Sequence, residues 1–338
     1  MPSPGGPGHI QRVPEGAPKT AVITGASGFI GRRLRDQLLR QGWDVVSIRR
    51  PVSKEPKEGR SVVLEYADRA GLTALFEKER PALVLHVAGA TKGVSREDFW
   101  GGNVTPTAQL VGALKDAQHP PERFLLVSSL AAYGPSGERP LAESDPKNPI
   151  ELYGESKREA EAVVEQSGLP FTIIRPSGVY GPGDVDFLEL FRWANRKLNV
   201  FPANRQQRVS VVYVDDLVDA TLAAALHPNT IGRGYFICDG APVSFEHFQR
   251  QIAVMLEKRA WELDVPGPLV DLAAFGGELM SKVDGKPRLF NRQKRKLGKA
   301  DFVCTHQAAK SDFGYTPKVP LAEGLLRTRD WYRQEGWL

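Results

Sequence analysis

The chain is an α/β protein by its sequence, with a doubly wound parallel sheet and a smaller carboxyl-terminal substrate-binding lobe. Three observations predict this. Short β-branched runs alternate with helix-length amphipathic segments over the first half. The first strand passes into the first helix through a glycine-rich turn. After Gly181 the alternation loosens into mixed segments.

The first strand is the run Ala21, Val22, Ile23, Thr24, and the helix after it carries Phe29, Ile30, Leu34 and Leu38 at the spacing of one buried face. Gly42 closes that helix, and residues 44–48 supply a second strand. Further strand-like runs at 61–64, 82–87, 124–128 and 171–174 are separated by helix-like segments at 71–79, 105–117 and 153–166. Such spacing implies right-handed βαβ crossovers and a sheet covered on both faces. Beyond Gly181, Phe187, Leu190, Phe191, Ala194 and Leu198 mark an amphipathic helix, and 209–214 returns as a strand. Residues 265–299, punctuated by Pro266, Pro268, Gly276, Gly277, Gly285 and Pro287 and ending in a basic cluster, are expected to cap a cleft as mixed helix and loop.

Composition narrows the function classes. At 338 residues and 41% hydrophobic the chain can bury a large core, and 45 basic against 40 acidic side chains is too mild a bias to require nucleic acid. Cys238 and Cys304 stand without Cys-x-x-Cys spacing, so neither a disulfide framework nor a metal site is indicated. Residues 1–18 are rich in Pro and Gly and read as a flexible tail, not a signal peptide. No run approaches the roughly 20 apolar residues that span a bilayer, and the expected compartment is the cytoplasm.

The glycine turn holds Gly25, Ser27, Gly28, Phe29, Ile30 and Gly31. Glycines let the backbone turn tightly against a pyrophosphate, whose charge the free N–H groups of a helix N-terminus favour. The glycines fall as G-x-x-G-x-x-G, and TGASGFIG resembles the extended branch of the short-chain dehydrogenase/reductase superfamily, which includes epimerases and dehydratases of nucleotide sugars. The likeness runs from about residue 20 to 335, and its motifs suggest the neighbourhood of 3β-hydroxysteroid dehydrogenases and dihydroflavonol reductases. It implies a Rossmann-type dinucleotide-binding core over 19–180, a mixed lobe over 181–338 with about 205–240 returning to the core, and a homodimer.

At the tip of the second strand stand Arg49 and Arg50, and no carboxylate. A carboxylate there accepts from a ribose 2′-OH, whereas Arg accommodates a 2′-phosphate, so NADP(H) is favoured and NAD(H) stays open. By resemblance, Asp68 accepts from the adenine amino group with Arg69 beside it. Val87, Ala88 and Gly89 bring the fourth strand against the cofactor, and Pro176 and Val179 meet the nicotinamide carboxamide. His86 reads as a packed strand residue and Asn103 as a supporting one.

Tyr153 and Lys157 lie four apart, one turn from each other on a single helix face. A phenol with its ordinary pKa near ~10 is a poor base at neutral pH, and a neighbouring ammonium is expected to lower it. By resemblance, Ser129, four before Tyr133, supplies the catalytic hydroxyl and Ser128 covers the nicotinamide side, an assignment that a one-residue bulge would exchange.

These residues imply an enzyme that interconverts a ketone and a secondary alcohol with NADP(H). The expected substrate is small and largely apolar, of the 3β-hydroxysteroid or β-keto acid type, behind a wall drawn from Phe99, Trp100, Phe187, Phe191, Trp193, Phe275 and Met280. The alternative is a nucleotide-sugar 4-epimerase or reductase with NAD(P), in which Arg192, Arg205, Arg208 and the basic 294–299 segment would meet a diphosphate. Dehydratase chemistry is disfavoured, because Leu130-Ala131-Ala132 occupies the place of an Asp-Glu pair.

Overall fold

In this computed structural model the described residues are 19–201, 204–284, 297–298 and 300–338. The amino-terminal tail over 1–18 and most of the basic 292–299 segment lie outside them.

The core opens with β1 (Thr20–Thr24), α1 (Phe29–Arg40), β2 (Asp44–Arg49), β3 (Arg60–Val63), α2 (Arg69–Glu79) and β4 (Leu83–His86). It continues with α3 (Arg96–Phe99), a π-helical turn over Trp100–Val104, α4 (Thr105–Asp116), β5 (Arg123–Val127), α5 (Leu152–Glu165) and β6 (Phe171–Pro176). Next come β7 (Gly178–Tyr180), α6 (Leu188–Asn195), β8 (Leu198–Phe201), β9 (Arg208–Val209), β10 (Val211–Tyr213), α7 (Val214–Leu226) and β11 (Arg233–Ile237). The chain ends with β12 (Val243–Ser244), α8 (Phe245–Met255), β13 (Trp261–Asp264), α9 (Gly267–Asp284), α10 (Gln307–Phe313) and α11 (Leu321–Gln334).

Seven strands form one parallel sheet in the order β11-β6-β5-β4-β1-β2-β3. Chain order reverses beside β1, and a crevice at the carboxyl ends of the strands is where such sheets take ligands. Strands buried on both faces need continuous apolar runs, as in β5, where all five residues are buried. One face packs Ile23, Leu34, Leu38 and Leu125 under α1 and α7, and the other packs Val22, Phe76, Leu110 and Phe124 under α2, α4 and α5. A separate cluster of Tyr180, Phe191, Tyr213, Phe248 and Tyr332 holds the carboxyl-terminal helices as a smaller lobe.

The expected strand over 209–214 is broken. β9 ends at Val209, β10 starts at Val211, and Val214 already opens α7. Ser210 lies between, its backbone N–H bonded to Phe302 and its carbonyl accepting from Gly178. One short segment is thereby shared between the core and the returning carboxyl-terminal chain.

Candidate active site

The glycine turn has the shape its spacing implies. Gly25 has φ +72°, and a Cβ there would stand 2.7 Å from the backbone nitrogen of Ala88. Gly28 donates its backbone N–H to the Gly25 carbonyl at 2.9 Å, and a Cβ on Gly31 would come within 2.1 Å of that oxygen. Phe29 and Ile30 start α1, whose N-terminus no side chain caps, so its N–H groups are available to an anion. Beside the turn lies a cleft of about 440 Å³ lined by Gly25, Ser27, Gly28, Arg49, Arg50, Val87, Ala88 and Gly89.

Thr24, buried at the end of β1, organises the floor of this cleft. Its hydroxyl accepts from the backbone N–H groups of Val87 and Ala88, both at 3.2 Å, and meets His86 Nδ1 at 2.7 Å. His86 is also held by Thr107, and burial pushes its imidazole down to about 3, so it is a neutral structural group.

The arginines differ in their partners. Arg49 Nε is buried with no hydrogen-bond partner, and its guanidinium is 3.9 Å from Glu55. An orphaned cationic donor facing this cleft fits a phosphate-bearing nucleotide. Asp68 caps α2 by accepting from Gly71, and Arg69 pairs with Asp116 and the Gly112 carbonyl. Tyr66 and Ala67, in place of Asp68 and Arg69, line the cleft.

The residues expected to transfer the proton sit where α5 starts. Glu151 accepts from the backbone N–H groups of Tyr153 and Gly154, fixing the first turn of the helix that carries Tyr153 and Lys157. Sequence reasoning passed over Glu151, although an acidic residue just before a helix is a readable capping signal. Lys157 is 5% exposed and donates from Nζ to the Val127 carbonyl at 3.0 Å. The same Nζ would be 3.1 Å from a Cβ on Gly89, which places it where nucleotide cleft and proton-transfer site meet.

Ser129 accepts from the Ala131 N–H, and it lines the same cavity as the Tyr153 side chain. Ser128 is buried with its Oγ unpaired. Asn103, in the π-helical turn, exchanges hydrogen bonds with the Ala90 backbone and donates to Ser156, locking the loop after β4 onto α5. Pro176 ends β6 at the cavity wall, and Val179, in β7, packs against the core.

The electrostatics correct one expectation. Burial pushes the Tyr153 phenol up to about 12, the neighbouring Ser129 hydroxyl pulling the other way, and Lys157 does not bring it down. Lys157 is itself pushed down to about 8 by burial, with Glu161 one turn further along α5 opposing. Buried Lys157 and half-buried Tyr153 share one poorly solvated site, and each is displaced toward its neutral form.

Next to Tyr153 opens a second cavity of about 740 Å³, walled by Phe99, Val185, Phe187, Phe245, Phe248 and Phe302, with Ser129 and Tyr153 at its base. Of the residues expected in an apolar wall, Phe99 and Phe187 are present, whereas Phe191 is core and Phe275 and Met280 are exposed on α9. The arginines expected to meet a diphosphate are neutralised elsewhere: Arg192 by Glu189, Arg205 by Glu246, Glu262 and Asp264, and Arg208 by Asp301. Lys92 is the cation among the described lining residues, 2.8 Å from Asp186 across the cavity. Neither was singled out in the sequence, because the loops that carry them share no local motif.

Residues 21–238 match the family described as NAD dependent epimerase/dehydratase. A UDP-glucose 4-epimerase of Vibrio cholerae is 28% identical over 94% of this chain and 96% of its own length. A ceramide reductase of Caulobacter vibrioides is 30% identical over 94% of this chain and 95% of its own. Among solved structures, a UDP-glucose 4-epimerase of Thermotoga maritima with UDP-glucose superposes with a TM-score of 0.75 at 22% identity, covering 94% of this chain and 99% of that one. These similarities overturn the expected substrate. A relative named for UDP-glucose stands where a hydroxysteroid or β-keto acid enzyme was anticipated, and the likeness to 3β-hydroxysteroid dehydrogenases and dihydroflavonol reductases finds no support. The glycine turn, the parallel sheet and the family match agree that the chain belongs to the NAD-dependent epimerase/dehydratase family and is an NAD(P)-dependent oxidoreductase of the extended short-chain type.

Proposed function

We propose that this enzyme acts on the sugar of a nucleotide sugar, as a 4-epimerase or reductase. The observation that carries the reading is the placement of Ser129, Tyr153 and Lys157 at the junction of a nucleotide cleft and a cavity large enough for a second, bulky ligand. The epimerase relative supports the substrate class. Leu130-Ala131-Ala132 at the 3₁₀ turn after Ser129 supplies no acid for dehydration.

NAD(P), when bound along the glycine turn, supplies or accepts hydride at the sugar carbon. Tyr153 gives or takes the proton of the sugar hydroxyl, and the Ser129 hydroxyl holds that oxygen beside the phenol. Burial holds the Tyr153 phenol in its protonated form, the form that donates to the sugar oxygen on reduction, and Lys157 stands on the same helix face 6.0 Å from the Tyr153 ring. Lys92, released from Asp186, is the candidate partner for the diphosphate.

Within this reading the 2′-phosphate form is preferred, because Arg49 keeps an unpaired buried donor and Arg50, Ser53 and Lys54 line the same end of the cleft. Pairing of two copies, implied by resemblance, belongs to the same proposal. The test is turnover of UDP- and dTDP-hexoses with NADPH or NADH, followed by product analysis. Tyr153-dependent interconversion at the sugar C4 supports the proposal. Reduction of a 3-oxo lipid without turnover of any nucleoside diphosphate sugar overturns it.

A further inference from the structure

The described lining of the substrate cavity holds three carboxylates, and two of them are paired. Asp186 meets Lys92 at 2.8 Å, and Glu189 meets Arg192 on α6 at 2.6 Å. Glu151 pairs with no lysine, arginine or histidine among the described residues. It is 9% exposed and lines the cavity beside Ser129 and Tyr153. One of its oxygens accepts from the Gly154 N–H at 2.8 Å and the other from the Tyr153 N–H at 3.1 Å. An ionised carboxylate can accept about four hydrogen bonds, so half of that capacity is left for a ligand.

Capping alone does not call for this residue. Ser, Thr, Asp and Asn are the side chains favoured at a helix N-cap, and a hydroxyl would close the first turn without bringing a charge into a cavity walled by phenylalanines. Burial pushes the Glu151 carboxyl up from its ordinary value, while the Gly154 and Tyr153 N–H groups pull it back. A second polar group of the cavity also lacks a partner. Ser177, directly after β6, is 8% exposed, and its Oγ makes no hydrogen bond. An acceptor with lone pairs to spare and an unpaired hydroxyl, lining one cavity with the Tyr153 phenol, complement a ligand rich in hydroxyls.

We propose that Glu151 is a specificity-determining residue, which accepts a hydrogen bond from a sugar hydroxyl beside the reacting carbon and repels sugars that carry a carboxylate. Resting on the nucleotide-sugar reading, this narrows the substrate class to neutral hexoses. Groups on the two carbons that flank C4 stand nearest the oxygen held by Tyr153 and Ser129. A hydroxyl there meets Glu151, and a carboxylate there meets a like charge that no cation offsets.

The experiment compares glucose with glucuronate on the nucleotide, UDP or dTDP, that the full-length enzyme accepts. It includes Glu151→Ser, which keeps a favoured cap, and Glu151→Gln, which keeps the size. Wild type should prefer the glucose compound by at least roughly tenfold in kcat/KM. Both variants should lose about tenfold or more on it, chiefly through KM, while turnover of the glucuronate compound holds or rises. Glu151→Ser should keep the wild-type melting temperature. Equal use of the two sugars by wild type, or a wild-type ratio in Glu151→Ser, overturns this role and leaves the nucleotide-sugar reading standing. So does an equal loss on both sugars, the mark of a cap alone. Absence of wild-type turnover with any UDP- or dTDP-hexose removes the nucleotide-sugar reading itself, and the role of Glu151 with it.

Discussion

The two cavities that meet at Lys157 are built from opposite materials. The nucleotide cleft is shaped by backbone: Gly25 against Ala88, Gly31 against the Gly25 carbonyl, and Thr24 holding Val87 and Ala88. Its charges are left for a ligand, as the orphaned Arg49 Nε shows. The substrate cavity is shaped by side chains, chiefly five phenylalanines from segments far apart in the chain, and its described cation is engaged by Asp186. A ligand common to a whole family can be read by backbone, which changes little, whereas a ligand particular to one enzyme must be read by side chains, which change freely.

The largest test of this contrast is Tyr153→Phe. It should lower turnover by about 10²–10⁴-fold while leaving nucleotide affinity within about twofold, because the phenol serves only the second cavity. Steady-state kinetics beside calorimetric titration with NADPH would check this, and a parallel loss of nucleotide affinity would erase the distinction. Gly31→Ala acts on the other side. With its Cβ 2.1 Å from a backbone oxygen the turn must open, so nucleotide binding should be lost and stability reduced by about 2–4 kcal/mol. Denaturant melts with and without NADPH would show both effects.

Lys157→Met probes the junction. A lysine whose folded pKa of about 8 lies below its unfolded value near 10.5 costs stability while charged, so wild type gains stability as pH rises from 7 toward 10. The variant should be inactive, lack that rise, and be more stable than wild type at pH 7 by on the order of 1–3 kcal/mol. Melting across this pH range reads the sign directly. The smallest effect expected is Arg49→Ala, which should weaken NADPH about tenfold and NADH by less than about threefold. Equal losses would show that the cleft has no 2′-phosphate preference.

Much of the fold was legible in the residues because its signals are local. The strand periods, the glycine turn and the Tyr153–Lys157 spacing each lie within a few residues, and β1, α1, β4, α4, β5 and α5 fall within a few positions of where they were expected. The 209–214 strand was misread because Ser210 bonds to Phe302, some ninety residues away, and no window contains both. Asp68 shows the same limit in the site: a carboxylate before a helix satisfies a capping signal and a family motif equally well, and only its bond to Gly71 shows which group it meets here. The electrostatics of Tyr153 were misjudged because spacing reveals a neighbour but not the water taken away from it.

The sequence alone determined the parallel α/β core, the glycine turn and the placing of Tyr153 and Lys157 on one helix face, since each depends on backbone freedom or helical spacing encoded locally. Tertiary structure decided which arginines keep a free donor, which phenylalanines wall the cavity, and that Lys92 faces Asp186. Those outcomes depend on which distant segments share a volume, and burial then sets the charge each group can carry.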